Sequence, residues 1–170
     1  MSRKKRYINN GKTIKEMLNL VVKKFPGEPA FKRKEQGKIR KISFFELLTE
    51  VRNLGTALYE DGLGKERVAI IGENSYPWFQ VFLSIVCGGG VAVPLDKGFT
   101  ATELRSCLER SGAKAIFCDK KHEPLVQEAL ALKEEGKEAL DIKVYKMTGE
   151  EERLSEMKKI GEQAILNGST

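Results

Sequence analysis

The 170 residues include only three cysteines, one histidine, one tryptophan and five prolines. Each shortage excludes something. Three cysteines are too few, and odd in number, for a disulfide-stapled domain, so a reducing compartment is expected. His122 cannot build a usual zinc site alone, because no Cys-x-x-Cys pair exists and Cys87 and Cys107 fall on different predicted elements. The pattern Gly-x-Ser-x-Gly is absent, so Asp119 and His122 have no nucleophile elbow to complete a hydrolase triad. The basic start is not followed by an apolar run, so no secretory signal pattern is present. The longest uncharged stretch, Asn74 to Leu95, is divided by Pro77, Gly88-Gly89-Gly90 and Pro94. No piece of it approaches the ~20 residues of a membrane-spanning helix.

What remains is ample for a folded domain. With 41% hydrophobic and 32% charged residues, the chain can build a core and keep a polar surface. Disorder, collagen-like repeats and a long coiled coil are excluded. The net charge of +6 is unevenly distributed: residues 1–41 hold 14 Lys or Arg against Glu16, Glu28 and Glu35, a balance of +11. The remainder is therefore acidic overall. Such asymmetry marks either a solvated basic arm, here residues 1–12 with Arg3-Lys4-Lys5-Arg6, or a contact with an anionic surface. A peripheral membrane contact fits this balance; nucleic acid is not expected, since only Tyr7 offers an aromatic platform beside the arm.

Periodicity gives the elements. Thr13 and Glu16 make a capping-box pattern opening a helix through Ile14, Met17, Leu18, Val21, Val22 and Phe25. Pro26-Gly27 ends it. Ala30–Arg33 and Ile39–Ile42 read as a hairpin around Glu35-Gln36-Gly37. Ser43 and Glu46 open a second helix, to about Glu60, with Leu47, Leu48, Val51, Leu54 and Leu58 on its apolar face. Buried strands follow at Arg67–Ile71, Val91–Leu95, Lys114–Cys118 and Ile142–Tyr145. Helices alternate with them, starting at Ser75, at Thr100 with Glu103, at Glu123 (to about Glu135) and at about Glu150. This alternation predicts an α/β fold: a mainly parallel sheet with helices on both faces, a three-layer arrangement of Rossmann type, plus a small N-terminal β-hairpin. Residues 13–170 are expected to form that subdomain.

The glycines do not support dinucleotide binding. The turn after the first buried strand, Gly72-Glu73-Asn74-Ser75, lacks the three-glycine fingerprint and places a carboxylate where phosphate would approach. Gly88-Gly89-Gly90 follows a helix and precedes a strand, so its expected work is helix termination and close packing. Tyr76, Trp78, Phe79 and Phe82 keep helical spacing and read as core. No catalytic, cofactor-binding or metal-binding residue is identified.

Three segments nevertheless resemble the adenylate-forming (AMP-binding) superfamily, of the long-chain fatty acyl-CoA synthetase type. Ile42-Ser43-Phe44-Phe45-Glu46-Leu47 resembles its first core motif, a Leu-Thr/Ser-Tyr-x-Glu-Leu helix start. Leu83 to Asp96 is similar to its second motif, although the family often has lysine and alanine where Ile85 and Val86 stand. Glu73-Asn74-Ser75-Tyr76-Pro77-Trp78 resembles the segment just upstream in fatty acyl-CoA synthetases. Order and spacing agree from about Thr13 to Asp119.

The resemblance implies a ligase that joins a carboxylate, such as a fatty acid, to CoA through an acyl-adenylate, using ATP, Mg²⁺ and CoA. It also implies that those ligands bind elsewhere. The family's Thr-Ser-Gly-Thr-Thr-Gly-x-Pro-Lys phosphate loop does not occur here, and Asn167-Gly168-Ser169-Thr170 lacks its glycines and lysine. The expectation is an N-terminal subdomain cut off before that loop, inactive alone, cytoplasmic, and partnered by the remainder of its parent chain. Exposed sheet edges would then favour self-association. The alternative is a stand-alone, non-catalytic binding or assembly module whose basic surface meets an anionic partner.

Overall fold

The computed structural model describes residues 11–35, 37–132, 140–147 and 151–168. The Arg3-Lys4-Lys5-Arg6 run, Gln36 of the expected turn and Ser169-Thr170 lie outside them. The chain divides into two compact units, residues 1–50 and 51–170.

The first unit contains helix α1 (Ile14–Lys24) and an antiparallel hairpin of β1 (Pro29–Glu35) and β2 (Lys38–Ser43). Thr13 caps α1, its Oγ accepting the Glu16 N–H at 3.1 Å. The expected capping box is only half made: the Glu16 carboxylate takes the N–H of Lys12 at 2.7 Å, one residue before the cap. Of the six apolar positions expected to line α1's buried face, only Leu18 is buried; Ile14 and Met17 stand 40% and 50% exposed. Ser43 likewise accepts the Glu46 N–H at 3.1 Å, while the Glu46 carboxylate pairs with Arg40 at 2.7 Å instead of turning back to the cap. Helix α2 (Phe44–Glu60) starts there and continues into the second unit.

The second unit is built on four parallel strands: β3 (Arg67–Ile71), β4 (Val91–Pro94), β5 (Ala115–Cys118) and β6 (Lys143–Lys146), in the spatial order β4-β3-β5-β6. Between them run α3 (Tyr76–Cys87), α4 (Ala101–Ser111) and α5 (Glu123–Ala131), and α6 (Glu151–Leu166) follows β6. β3 and β5 are buried on both faces, which explains their unbroken apolar runs. Val68, Ile70, Ala115 and Phe117 face one core, with Leu54, Leu58, Val81, Ile85, Leu154 and Met157 from α2, α3 and α6. Ala69, Ile71, Ile116 and Cys118 face the other, with Leu104 and Leu108 of α4 and Val126 and Ala129 of α5. The expected three-layer α/β fold is therefore present. One boundary differs: α5 ends at Ala131, because its C-cap Leu132 turns to ψ 126°, so it is shorter than the helix expected to reach about Glu135.

Two glycine contacts set how closely these helices pack. A Cβ on Gly55 of α2 would sit 3.1 Å from the Ser84 carbonyl of α3, and one on Gly161 of α6 would sit 1.7 Å from the Asn53 carbonyl of α2. Helix α2 is thus held backbone to backbone on two sides. Gly88 caps α3, Gly89 takes φ +94°, and a Cβ on Gly90 would crowd Ile85 and Glu66. The triple glycine terminates a helix and admits a close strand, as expected.

Candidate functional site

Strand order singles out one end of the sheet. The connection leaving β3 runs through α3 to β4 on one side, and the connection leaving β5 runs through α5 to β6 on the other. Open α/β sheets place ligands beyond the carboxyl ends of strands at such a switch point. Here the crevice is formed by the loop after β3 (Gly72–Ser75), the turn after β5 (Asp119–His122) and the segment after β4 that carries Lys97.

Asp119 organises it. Its Oδ2 accepts the backbone N–H of Glu73 at 2.7 Å, and its Oδ1 accepts the backbone N–H of His122 at 2.9 Å. The same Oδ1 lies 2.6 Å from His122 Nδ1. Burial raises the carboxyl's proton affinity, but the hydrogen bonds from Glu73 and His122 outweigh it and hold Asp119 below the usual carboxylate range. An ionised carboxylate only accepts, so Nδ1 carries the proton it shares with Asp119. Gly72 leaves room for this approach: a Cβ there would lie 3.0 Å from both Asp119 Oδ2 and Met147 Cε.

Glu73 is the second organiser. Its carboxylate bridges Lys121, at 2.7 Å, and Lys97. Hydrogen bonds from Lys121 and then Lys97 lower its pKa to about 2. Neither ion pair was legible in the chain, because the partners stand 24 and 48 residues from Glu73 and meet only through the parallel strand register.

The arrangement locks loops together and leaves little for chemistry. Asp119 and His122 do meet, but they are 7% and 5% exposed, and among the described residues no serine hydroxyl reaches the pair. Cys118 is buried, and burial, with the carboxylates of Glu123 and Asp119, pushes its thiol up to about 11. It is a poor nucleophile. Cys87 and Cys107 are half-buried and in no disulfide. Ser75 caps α3 by accepting the Trp78 N–H at 3.3 Å, and Trp78 stacks on Phe82 with centroids 5.7 Å apart. The segment Glu73 to Trp78 is thus accounted for by structure.

Nor do these residues fit a nucleotide triphosphate or its metal. Phosphate cradles need N–H groups that point outward after a strand. Here the Glu73 N–H is already donated to Asp119, and the Ser75 hydroxyl already accepts from Trp78. Two carboxylates stand where phosphate charge would gather. Among the described residues no group of three His, Cys, Asp or Glu side chains could hold a metal ion.

Comparison with known proteins places this scaffold. The family profile described as AMP-binding enzyme matches residues 18–166. A CoA ligase of Mycobacterium tuberculosis, named for a methyl-dioxo-octahydroindenyl propanoyl group, is 32% identical over 111 residues, covering 65% of this chain and 21% of that protein. The mitochondrial medium-chain acyl-CoA ligase ACSF2 of Rattus norvegicus is 31% identical over 110 residues, covering 64% of this chain and 18% of its own. The chain thus spans about a fifth of the length of these curated relatives. Among solved structures, the N-terminal domain of FACL13 from Mycobacterium tuberculosis superposes with a TM-score of 0.74 at 20% identity, covering 88% of this chain and 36% of that one.

Proposed function

Because this chain belongs to the AMP-binding enzyme family, we propose that it is the N-terminal scaffold of an AMP-forming acyl-CoA ligase. In this reading its parent activates a carboxylate with ATP and transfers the acyl group to CoA. The observation that carries the reading is the family match over residues 18–166, to which the ties across the sheet's switch point add. The Glu73 N–H and the Asp119 carboxylate bind one another, and Glu73 is neutralised by Lys97 and Lys121. Residues 1–170 therefore supply the framework, and the groups that bind ATP, Mg²⁺ and CoA come from the rest of the parent chain. No reaction step is assigned to side chains described here.

A fatty acid is the proposed substrate class. Relatives named as medium-chain acyl-CoA ligases support it. Aryl and amino acids are the rival classes. The proposed compartment is the cytoplasm, in keeping with three cysteines in the reduced state. No described helix is long and apolar enough to cross a membrane.

Thioester formation by the complete ligase chain, assayed with a series of fatty acids, benzoate and amino acids, tests the substrate. The highest kcat/KM should fall on a fatty acid. A preference for an aryl or amino acid would overturn the assignment while leaving the scaffold reading intact.

A further inference from the structure

We propose that one face of the β1–β2 hairpin is a docking surface for an anionic lipid bilayer. The antiparallel register sets Lys32 opposite Lys41 and Lys34 opposite Ile39. Alternation along the two strands puts these four side chains on one face. All four are exposed, Ile39 at 68%. The other face carries Phe31 and Arg33, both half-buried, Arg40 and Ile42; Ile42 is 1% exposed and Arg40 is ion-paired with Glu46 at 2.7 Å. The hairpin therefore has an inner side, and an outer side where three lysines and one isoleucine stand together.

That outer side is unfavourable by itself. Like charges directly opposite each other destabilise a strand pair, and a two-stranded hairpin is marginal to begin with. Lys32 against Lys41 costs stability that an anionic partner would restore. The charge of the segment is complementary to such a partner, with a balance of +11 over residues 1–41.

The exposed apolar groups decide which polyanion it is. Ile39 stands opposite Lys34 and two residues from Lys41 on the same face, and α1 in the same unit leaves Ile14, Met17 and Leu20 at 40%, 50% and 37% exposure, with Lys23 and Lys24 in its last turn. Basic side chains beside aliphatic ones match a headgroup layer over acyl chains. A surface for single-stranded nucleic acid would instead present aromatic platforms, and neither a duplex nor a single strand would use the exposed aliphatic side chains. The hairpin's aromatic residue, Phe31, is on the inner face. This inference stands apart from the ligase reading and needs no catalytic activity for its test.

The test is sedimentation of the purified protein with phosphatidylcholine vesicles, with and without about 30% phosphatidylglycerol. Binding should require the anionic lipid and weaken steeply between about 0.05 and 0.3 M salt. Each lysine at an anionic surface contributes roughly five-fold, so the triple variant K32Q/K34Q/K41Q should bind about 100-fold more weakly. Ile39→Ser should weaken binding several-fold without altering its salt dependence. All four side chains are solvent-exposed, so the variants should keep the wild-type circular dichroism, and the triple variant, freed of the Lys32–Lys41 repulsion, should melt no lower than the wild type. The control variant K65Q/K114Q, at exposed positions of the second unit, should bind as the wild type does. Equal binding to neutral vesicles, a triple variant that binds as tightly as the wild type, or tighter binding to duplex DNA than to anionic vesicles would each overturn the proposal.

Discussion

The carboxylate of Asp119 accepts the backbone N–H of Glu73 at 2.7 Å, joining the ends of two parallel strands across 46 residues of chain. The contact closes the crevice in which folds of this topology usually hold a ligand. It also ties the loop after β3 to the turn after β5.

Replacing Asp119 with alanine leaves the part-buried Glu73 N–H and the buried His122 Nδ1–H without their acceptor, while the His122 backbone N–H keeps the residue-119 carbonyl at 3.2 Å. The expected loss is about 3 kcal/mol, read as a lower urea midpoint at unchanged slope. Asp119→Asn should cost less, since one acceptor oxygen remains. The two variants also differ from the wild type in acid. The folded carboxyl lies below its unfolded value, so its contribution is complete above about pH 4 and is lost as pH falls through the lowered folded value. Asp119→Asn should therefore flatten the acid side of the stability profile.

Gly161→Ala should destabilise although alanine is the better helix former. The gain in helix propensity is about 1 kcal/mol, whereas the new methyl would lie 1.7 Å from the Asn53 carbonyl, a backbone atom that cannot swing away. A net loss of about 2 kcal/mol or more is expected from thermal or urea unfolding. Gly27→Ala, where nothing lies within 4 Å, is the matched control and should be nearly neutral.

Thr100→Ala should cost about 1 kcal/mol by removing the complete capping box of α4, in which Glu103 returns to the Thr100 N–H at 2.8 Å. Thr13→Ala at the half-made box of α1 should cost less. Urea titrations of both variants compare the two caps directly.

Thiol labelling of the native protein near pH 8 should modify Cys87 and Cys107 well before Cys118. With its pKa near 11, only about a thousandth of Cys118 is thiolate at that pH, and the side chain is fully buried. Peptide mapping after timed iodoacetamide quenching gives the order. In urea all three should react at similar rates.

Local signals carried most of the fold. The apolar spacing of Leu47, Val51, Leu54 and Leu58 places one buried helix face, and Val68 to Ile71 shows an interior strand. Caps at Thr13, Ser43, Ser75 and Thr100 were legible because each bonds within three residues of itself. The ties that close the crevice were not, because Glu73, Lys97, Asp119 and Lys121 meet only once strand order is set. Gly161 illustrates the same limit: in sequence it is a weak point in a helix, and in space it is where two backbones touch. The apolar pattern of α1 predicted a helix correctly but overstated its burial, since periodicity does not say what covers a face.

The central claim is that residues 1–170 are a scaffold whose reaction is completed by other parts of the parent chain. Fatty-acid-dependent exchange of labelled pyrophosphate into ATP tests it most directly, measured for the 170-residue chain alone and for the same residues within the complete ligase chain. The account predicts exchange by the complete chain and none above background by the 170 residues. Exchange by the 170 residues alone, proportional to their concentration and dependent on the acid, would contradict it.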